Sequence, residues 1–318
     1  KRQVAIAETH KFGHVTYFWN GNRSDMFDAS LERYLEVRSD LGPCEHAPWM
    51  KAAEVTDRLI AALDEGPCDL LRVNYANGDM VGHTGVFEST RMAVEAVDLC
   101  LGRLIAEVER RRGVLVVTAD HGEGLFERRR ADVHIDREVA GDPRRLTDTF
   151  LRGHSENLHA ELVKAPLILM GPGIARGAVV EETVANVDVL PTVLDLVGLD
   201  PSGRDGRSLA PTLRAPDKAP DASRMLYSWT HLTVAVVQTE LELKLVLPTE
   251  AGELAGIAPA MYDLGADPGE DVDLLAGASA EQLAIAADLE RALAEAAERW
   301  RARDRAPELS DETRQKMR

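Results

Sequence analysis

The chain has 318 residues, of which 45% are hydrophobic and 29% charged, and its formal net charge is −17. That length and apolar content suit one large α/β domain, alone or with a smaller appendage, and exclude wholesale disorder. The negative surface excludes a nucleic-acid or anionic-membrane binder, and a phosphate site on it needs local positive charge of the kind bound metal supplies. No apolar run approaches the roughly 20 residues that span a bilayer, and no signal peptide is legible. Cys44, Cys68 and Cys100 lack ligand-like spacing and read as reduced thiols of a cytoplasmic protein. The chain opens at Lys1, close to the strand-like VAIA, as the middle of a longer product would.

In chain order, Val4 to Ala7 predicts a short strand. Ala47 to Leu63 predicts a helix, with Val55, Leu59, Ile60 and Leu63 at helical spacing. Asp69 to Tyr75 is the next strand. Glu88 to Arg111 predicts a long helix whose stripe is Val94, Val97, Leu101, Leu104 and Val108. Val114 to Thr118 is an all-apolar run, the pattern of a strand buried on both faces, and the strand–helix–strand order predicts a right-handed parallel crossover. Residues 127 to 150 are charged and aperiodic and read as an excursion or lid. Leu167 to Met170 resumes the core, and Asn186 to Leu199 is an amphipathic helix kinked or started near Pro191. Residues 216 to 223 form a Pro-rich linker. Beyond it MLYSW, TVAVVQT and LELKLVL predict a small antiparallel sheet, and Ala280 to Arg303 a long helix. The expected division is a core over 1–215 and a subdomain over 216–318.

Three histidine-bearing clusters lie at strand ends, where ligands of open parallel sheets collect. In NGDMVGHTG (77–85), Asp79 and His83 are four apart, which on a helical turn puts a carboxylate and an imidazole on one face. The alternative there is an Asp79 cap with an exposed His83. In VVTADHGEG (116–124), Asp120 and His121 stand where the chain leaves β geometry; the alternative is an ordinary Asp/Gly turn. In RGHSENLHAELVKAPLILMGPG (152–173), either His154 or His159 can complete a site. Two aspartates and three histidines suit Mn²⁺ or Zn²⁺, and two such ions about 4 Å apart clamp a phosphoryl transfer. The four tryptophans, Trp19, Trp49, Trp229 and Trp300, read as packing residues. The other histidines read as structural or exposed, with His14 set apart because it sits beside Lys11.

The segments AETHKFGHVTYFWNGNR (7–23), NYANGDMVGHTGVFESTRMAVEAVDLCLGRL (74–104) and VVTADHG (116–122) resemble cofactor-independent phosphoglycerate mutase, over roughly residues 3 to 126. The resemblance implies two manganese ions. Asp79 and His83 would bind one, with His154 (His159 as the alternative) completing its set, and Asp120 and His121 would bind the other. Lys11 matches a lysine that contacts the substrate phosphoryl group. The resemblance also implies a first metal-binding Asp and a Ser nucleophile in a segment not found in this chain. GHSENLHAELVKAPLILMGPGI, NVDVLPTVLDLVGL (186–199), DGRSLAPTL (205–213) and MYDLGADPGEDVDLL (261–275) resemble the C-terminal part of sulfatase-like hydrolases, over roughly residues 150 to 303. Both families imply an alkaline-phosphatase-like fold: a mostly parallel sheet flanked by helices, followed by a small antiparallel sheet and a helix. The implied activity is metal-dependent phosphoryl transfer, as a 2-/3-phosphoglycerate isomerase or a phosphohydrolase acting on a small phosphorylated metabolite. A sulfatase-like hydrolase or a non-catalytic metal-binding module are the alternatives. The sulfatase signature C/S-x-P-x-R is absent from the sequence, and Cys44 is followed by Glu-His-Ala.

Overall fold

Strand β1 (Gln3–Glu8) is buried along nearly its whole length because both its faces are covered. The computed structural model describes residues 1–125, 152–154, 157–216 and 223–303. β1 pairs in parallel with β2 (Glu32–Val37) on one side and β3 (Leu70–Asn74) on the other. Side chains of a strand alternate between faces. Val4 and Ile6 pack on α1 (Ala52–Asp64) and α3 (Phe87–Arg110) through Val55, Leu59, Ala62 and Leu104. Ala5 and Ala7 face the other way, against Phe12, Val15 and Tyr34.

α1 begins at Ala52, later than expected, because Asn77 holds the chain before it: Asn77 Nδ2 donates to the carbonyls of Pro48 and Trp49 at 2.9 and 2.8 Å. The short α2 (Asn77–Gly82) follows β3 and packs on the start of α3, where Ala93 meets Ala76 and Val81. That contact turns α3. Its buried face is Thr90, Ala93, Cys100 and Leu104, and Val94, expected in the stripe, is 57% exposed.

β4 (Leu115–Thr118) departs further from expectation. Among the described residues it pairs only with β7 (Leu167–Met170), antiparallel, in a sheet separate from β1–β3. The parallel crossover from β3 through α3 to β4 is therefore not closed by hydrogen bonds, and β4 is half-buried, not covered on both faces. The antiparallel pairing has one consequence for function. Thr118 sits opposite Leu167, so the chain entering β7 arrives at the end of the sheet where β4 leaves. Two-residue strands β5 (Gly124–Leu125) and β6 (Arg152–Gly153) pair across the same end. The one-turn helix α4 (Ala160–Val163) leads into β7.

The region expected to be one amphipathic helix begins as a 3-10 turn at Asn186–Asp188 and continues as α5 (Val189–Leu196). After α6 (Ala210–Arg214) come β8 (Met225–Trp229), β9 (Thr233–Gln238) and β10 (Leu243–Pro248). With β11 (Ala260–Asp263), beyond the short α7 (Glu250–Leu254), they form an antiparallel sheet in the order β11-β10-β9-β8. α8 (Ala280–Arg303) covers one face through Leu289 and Leu293, which pack on Val236, Leu245 and Met261. The lid expected at 127–150 and most of the linker at 216–223 lie outside the described residues. Trp19, Trp49 and Trp229, expected to pack, are 60%, 56% and 65% exposed. Among the described residues no helix is long and apolar enough to cross a membrane.

Candidate metal centre

Four ligand atoms, one each from Asp79, His121, Glu123 and His154, lie within 4.8 Å of one another. Each stands just past a strand. Asp79 stands in α2, just past β3; His121 and Glu123 follow β4; His154 follows β6. The rings of His121 and His154 stack with centroids 3.7 Å apart.

The glycines around the cluster set its shape. A Cβ on Gly82 would stand 2.8 Å from Glu123 Cγ, so the α2 backbone leaves room for that side chain. A Cβ on Gly122 would meet the Glu161 carbonyl oxygen at 2.0 Å, and the Gly122 N–H donates to Leu162 O at 2.7 Å. The loop carrying His121 and Glu123 is thus seated directly on α4.

Among the described residues, Asp79 Oδ1, Asp79 Oδ2 and Glu123 Oε1 are buried and accept no hydrogen bond of normal geometry. Buried carboxylate oxygens without donors are costly unless a cation meets them. Lys11 Nζ supplies part of that charge, 2.6 Å from Asp79 Oδ2. Burial alone would raise the Asp79 pKa, but Lys11, with His83 and His154 nearby, holds it below the ordinary aspartate range. His154 Nδ1 lies 2.9 Å from Glu123 Oε2, and that bond pushes the imidazole pKa up against the opposing effect of burial. His121 Nδ1 lies 2.8 Å from the Gly122 carbonyl, which can only accept. In the neutral imidazole that bond keeps the proton on Nδ1 and leaves Nε2, 3.6 Å from Asp79 Oδ1, as the nitrogen that can bind a cation. Two carboxylates and two imidazoles with orphaned oxygens fit a divalent cation.

The other expected residues fall around this cluster. His83, half-exposed at the end of α2, has Nε2 3.6 Å from Asp79 Oδ1 and Nδ1 3.9 Å from Glu123 Oε1. Asp120 stands at the rim with its side chain 67% exposed, Oδ1 3.6 Å from His121 Nε2. His14 lies on the turn after Lys11, and burial and the Lys11 charge hold its pKa below the ordinary imidazole value. His159, the alternative to His154, lies outside the cluster: its Nδ1 is bonded to Glu270 Oε2 at 2.9 Å. Glu123 was not singled out from the sequence. Its signal was present, since a carboxylate two residues past His121 in DHGEG stands at the same strand end.

Residues 1–126 match the Metalloenzyme superfamily, and the architecture is alkaline-phosphatase-like. The curated relatives include 2,3-bisphosphoglycerate-independent phosphoglycerate mutases. The chain is 53% identical over 120 residues to a probable 2,3-bisphosphoglycerate-independent phosphoglycerate mutase of Leptospira interrogans, covering 38% of this chain and 22% of that protein. It is 40% identical over 212 residues to the enzyme of Acinetobacter baylyi, covering 66% of this chain and 36% of that one. The chain therefore spans 22% to 36% of the length of these two relatives. A putative sulfatase from Bacteroides thetaiotaomicron superposes with a TM-score of 0.59 at 18% identity, over 86% of this chain and 69% of that one, a likeness of fold.

Proposed function

We propose that the chain forms the metal- and phosphate-handling part of a phosphoryl-transfer enzyme of the cofactor-independent phosphoglycerate mutase type. Its substrate is a small phosphorylated metabolite, either 2- or 3-phosphoglycerate or another phosphate ester, handled in the cytoplasm. The observation that supports this reading is the meeting of Asp79, His121, Glu123 and His154 beside the Lys11 ammonium. We assign two divalent ions, Mn²⁺ before Zn²⁺. Asp79, His121, Glu123 and His154 share one, and His83 and Asp120, beside Asp79 and His121, are placed to hold the second. The core spans residues 1–215 and the C-terminal subdomain 216–318.

When bound, divalent cations polarise phosphoryl oxygens and lower the pKa of an attacking hydroxyl. The chain's own residues do the rest. Lys11 places a fixed positive charge beside Asp79, where charge on a transferring phosphoryl group develops. The Gly122 carbonyl keeps His121 in the tautomer that leaves Nε2 free to bind. We assign no nucleophile among the residues of this chain.

A sulfatase-like hydrolase is the second reading, favoured by a fold likeness that covers 86% of this chain. The imidazole-rich donor set favours phosphate. The test is turnover of 2-phosphoglycerate, an aryl phosphate and an aryl sulfate by the Mn²⁺-loaded full-length protein, which on this reading supplies the nucleophile from outside these 318 residues. Phosphate turnover supports the proposal. Sulfate turnover alone selects the second reading, and metal uptake without turnover of any of the three selects a non-catalytic metal-binding module.

A further inference from the structure

The site leaves unused the DPGE turn at 267–270 and a buried ion pair, Lys244 with Glu270. The Lys244 and Glu270 side chains are 2% and 1% exposed, and Nζ lies 2.7 Å from Oε1. Lys244 Nζ also donates to the Leu158 carbonyl. The other Glu270 oxygen bonds His159 Nδ1 at 2.9 Å. His159 is fixed at its backbone too, its N–H donating to Asn157 Oδ1 at 3.0 Å.

A buried ion pair adds little net stability, since well-packed apolar residues of similar volume do as well or better. Its distinctive property is direction. Lys244 alternates with Leu245 along β10. Leu245 faces α8, and Lys244 faces the opposite way, toward Leu158. Glu270 reaches its place at a φ of +56°, a left-handed backbone uncommon for a residue with a side chain. Strained backbone persists where surrounding structure enforces it, and it concentrates at functional sites.

The pair grips residues 158 and 159, and α4, immediately after them, is the seat of the His121–Glu123 loop through the Gly122–Leu162 bond. His154 lies four residues before Leu158. We propose that Glu270, with Lys244, is a positioning residue of the metal centre: it fixes the 157–163 segment, and through it the geometry of His154 on one side and of His121 and Glu123 on the other. This rests on the metal-centre reading above. It assigns the C-terminal sheet a part in metal affinity although none of its residues belongs to the cluster.

The test is Mn²⁺ titration, followed by the loss of the free-ion electron paramagnetic resonance signal, with circular dichroism checking each fold. Lys244→Met/Glu270→Gln removes both charges at similar volume. His159→Phe leaves the ion pair intact and removes the imidazole donor. His159→Asn returns an amide donor near the place of Nδ1. Both of the first two variants are expected to bind Mn²⁺ about tenfold more weakly than wild type, as loss of supporting contacts around metal ligands does. His159→Asn is expected to stay within about twofold of wild type, a rescue that follows from the donor and not from ring packing. If wild type binds and His159→Phe, correctly folded, binds equally well, the positioning role is overturned while the metal centre stands. If wild type takes up no Mn²⁺, the metal centre itself is overturned. Should the double variant not fold, the two His159 variants decide the matter.

Discussion

The Lys11 ammonium stands 2.6 Å from Asp79 Oδ2, and both side chains are largely buried. Lysine and divalent metal therefore address the same carboxylate. Lys11→Met leaves the Asp79 charge without this partner. In metal-free protein the loss is expected to cost about 1–3 kcal/mol of stability, within the range for stripping a partner from a buried charge. Added Mn²⁺ should restore more stability to the variant than it adds to wild type, because it replaces the missing cation. Urea unfolding with and without Mn²⁺ reads both effects, and equal metal-induced stabilisation of the two proteins would contradict this account.

Glu123 and Asp120 separate the cluster as built from the site expected of the sequence. Glu123 contributes a ligand atom to the group, with one buried oxygen unpaired, whereas the Asp120 side chain is 67% exposed. Glu123→Gln is expected to weaken Mn²⁺ binding by tenfold or more at the tighter site, and Asp120→Asn by less. Calorimetric titration of both variants ranks them. The reverse order would place the principal site at the rim.

The two glycines in contact with the cluster predict contrasting failures. Gly82→Ala presses on the Glu123 side chain, which can swing away, so metal affinity should fall while the thermal midpoint changes little. Gly122→Ala drives a methyl into the Glu161 carbonyl, a backbone atom that cannot yield cheaply. Its cost should fall in the overpacking range of about 1–3 kcal/mol or above. Thermal unfolding of the two variants side by side checks the contrast.

Asp188 gives a pH prediction remote from the metal. It is fully buried, and its oxygens accept from the backbone N–H groups of Ala185 and Arg207 and from both terminal nitrogens of Arg224. Burial alone would raise its pKa, but Arg224 and the two backbone donors outweigh that and hold it below the ordinary value. The unfolded carboxyl titrates near pH 3.9 and the folded one lower, so the stabilisation is complete above about pH 4 and is lost as pH falls through the folded pKa. Arg224→Met should therefore be several kcal/mol less stable than wild type at pH 7, on the order of 3–5 kcal/mol for a broken buried pair. The gap should narrow as pH falls through the folded pKa, below which Asp188 is protonated in both proteins. Urea midpoints at pH 7 and pH 3 measure it.

Most of the elements were legible because their patterns are local. The strand at Val4–Ala7, the helix stripe of Val55 and Leu59 and the three C-terminal strands each follow from periodicity within a few residues. What failed depended on partners. The apolar run of β4 reads as a fully covered strand, but coverage is set by neighbouring strands, and among the described residues β4 has only β7. Val94 fits the α3 stripe by spacing, and only the packing of Ala93 on α2 shows which way the helix is turned. At the site, Asp79 with His83 is a helical pair that spacing reveals. Resemblance alone puts His154 ahead of His159, and the contact that occupies the second, with Glu270 111 residues away in sequence, is not legible in any local pattern. Glu123 escaped notice because a glutamate between two glycines resembles any polar loop residue until Gly82 is seen to make room for it.

The account stands on Asp79, His121, Glu123 and His154 sharing a cation. Anomalous diffraction at the manganese edge, from crystals of this protein grown with Mn²⁺, tests that most directly. It should show a peak in bonding contact with those four side chains. No peak there, or manganese bound only at other carboxylates of this acidic surface, would contradict it.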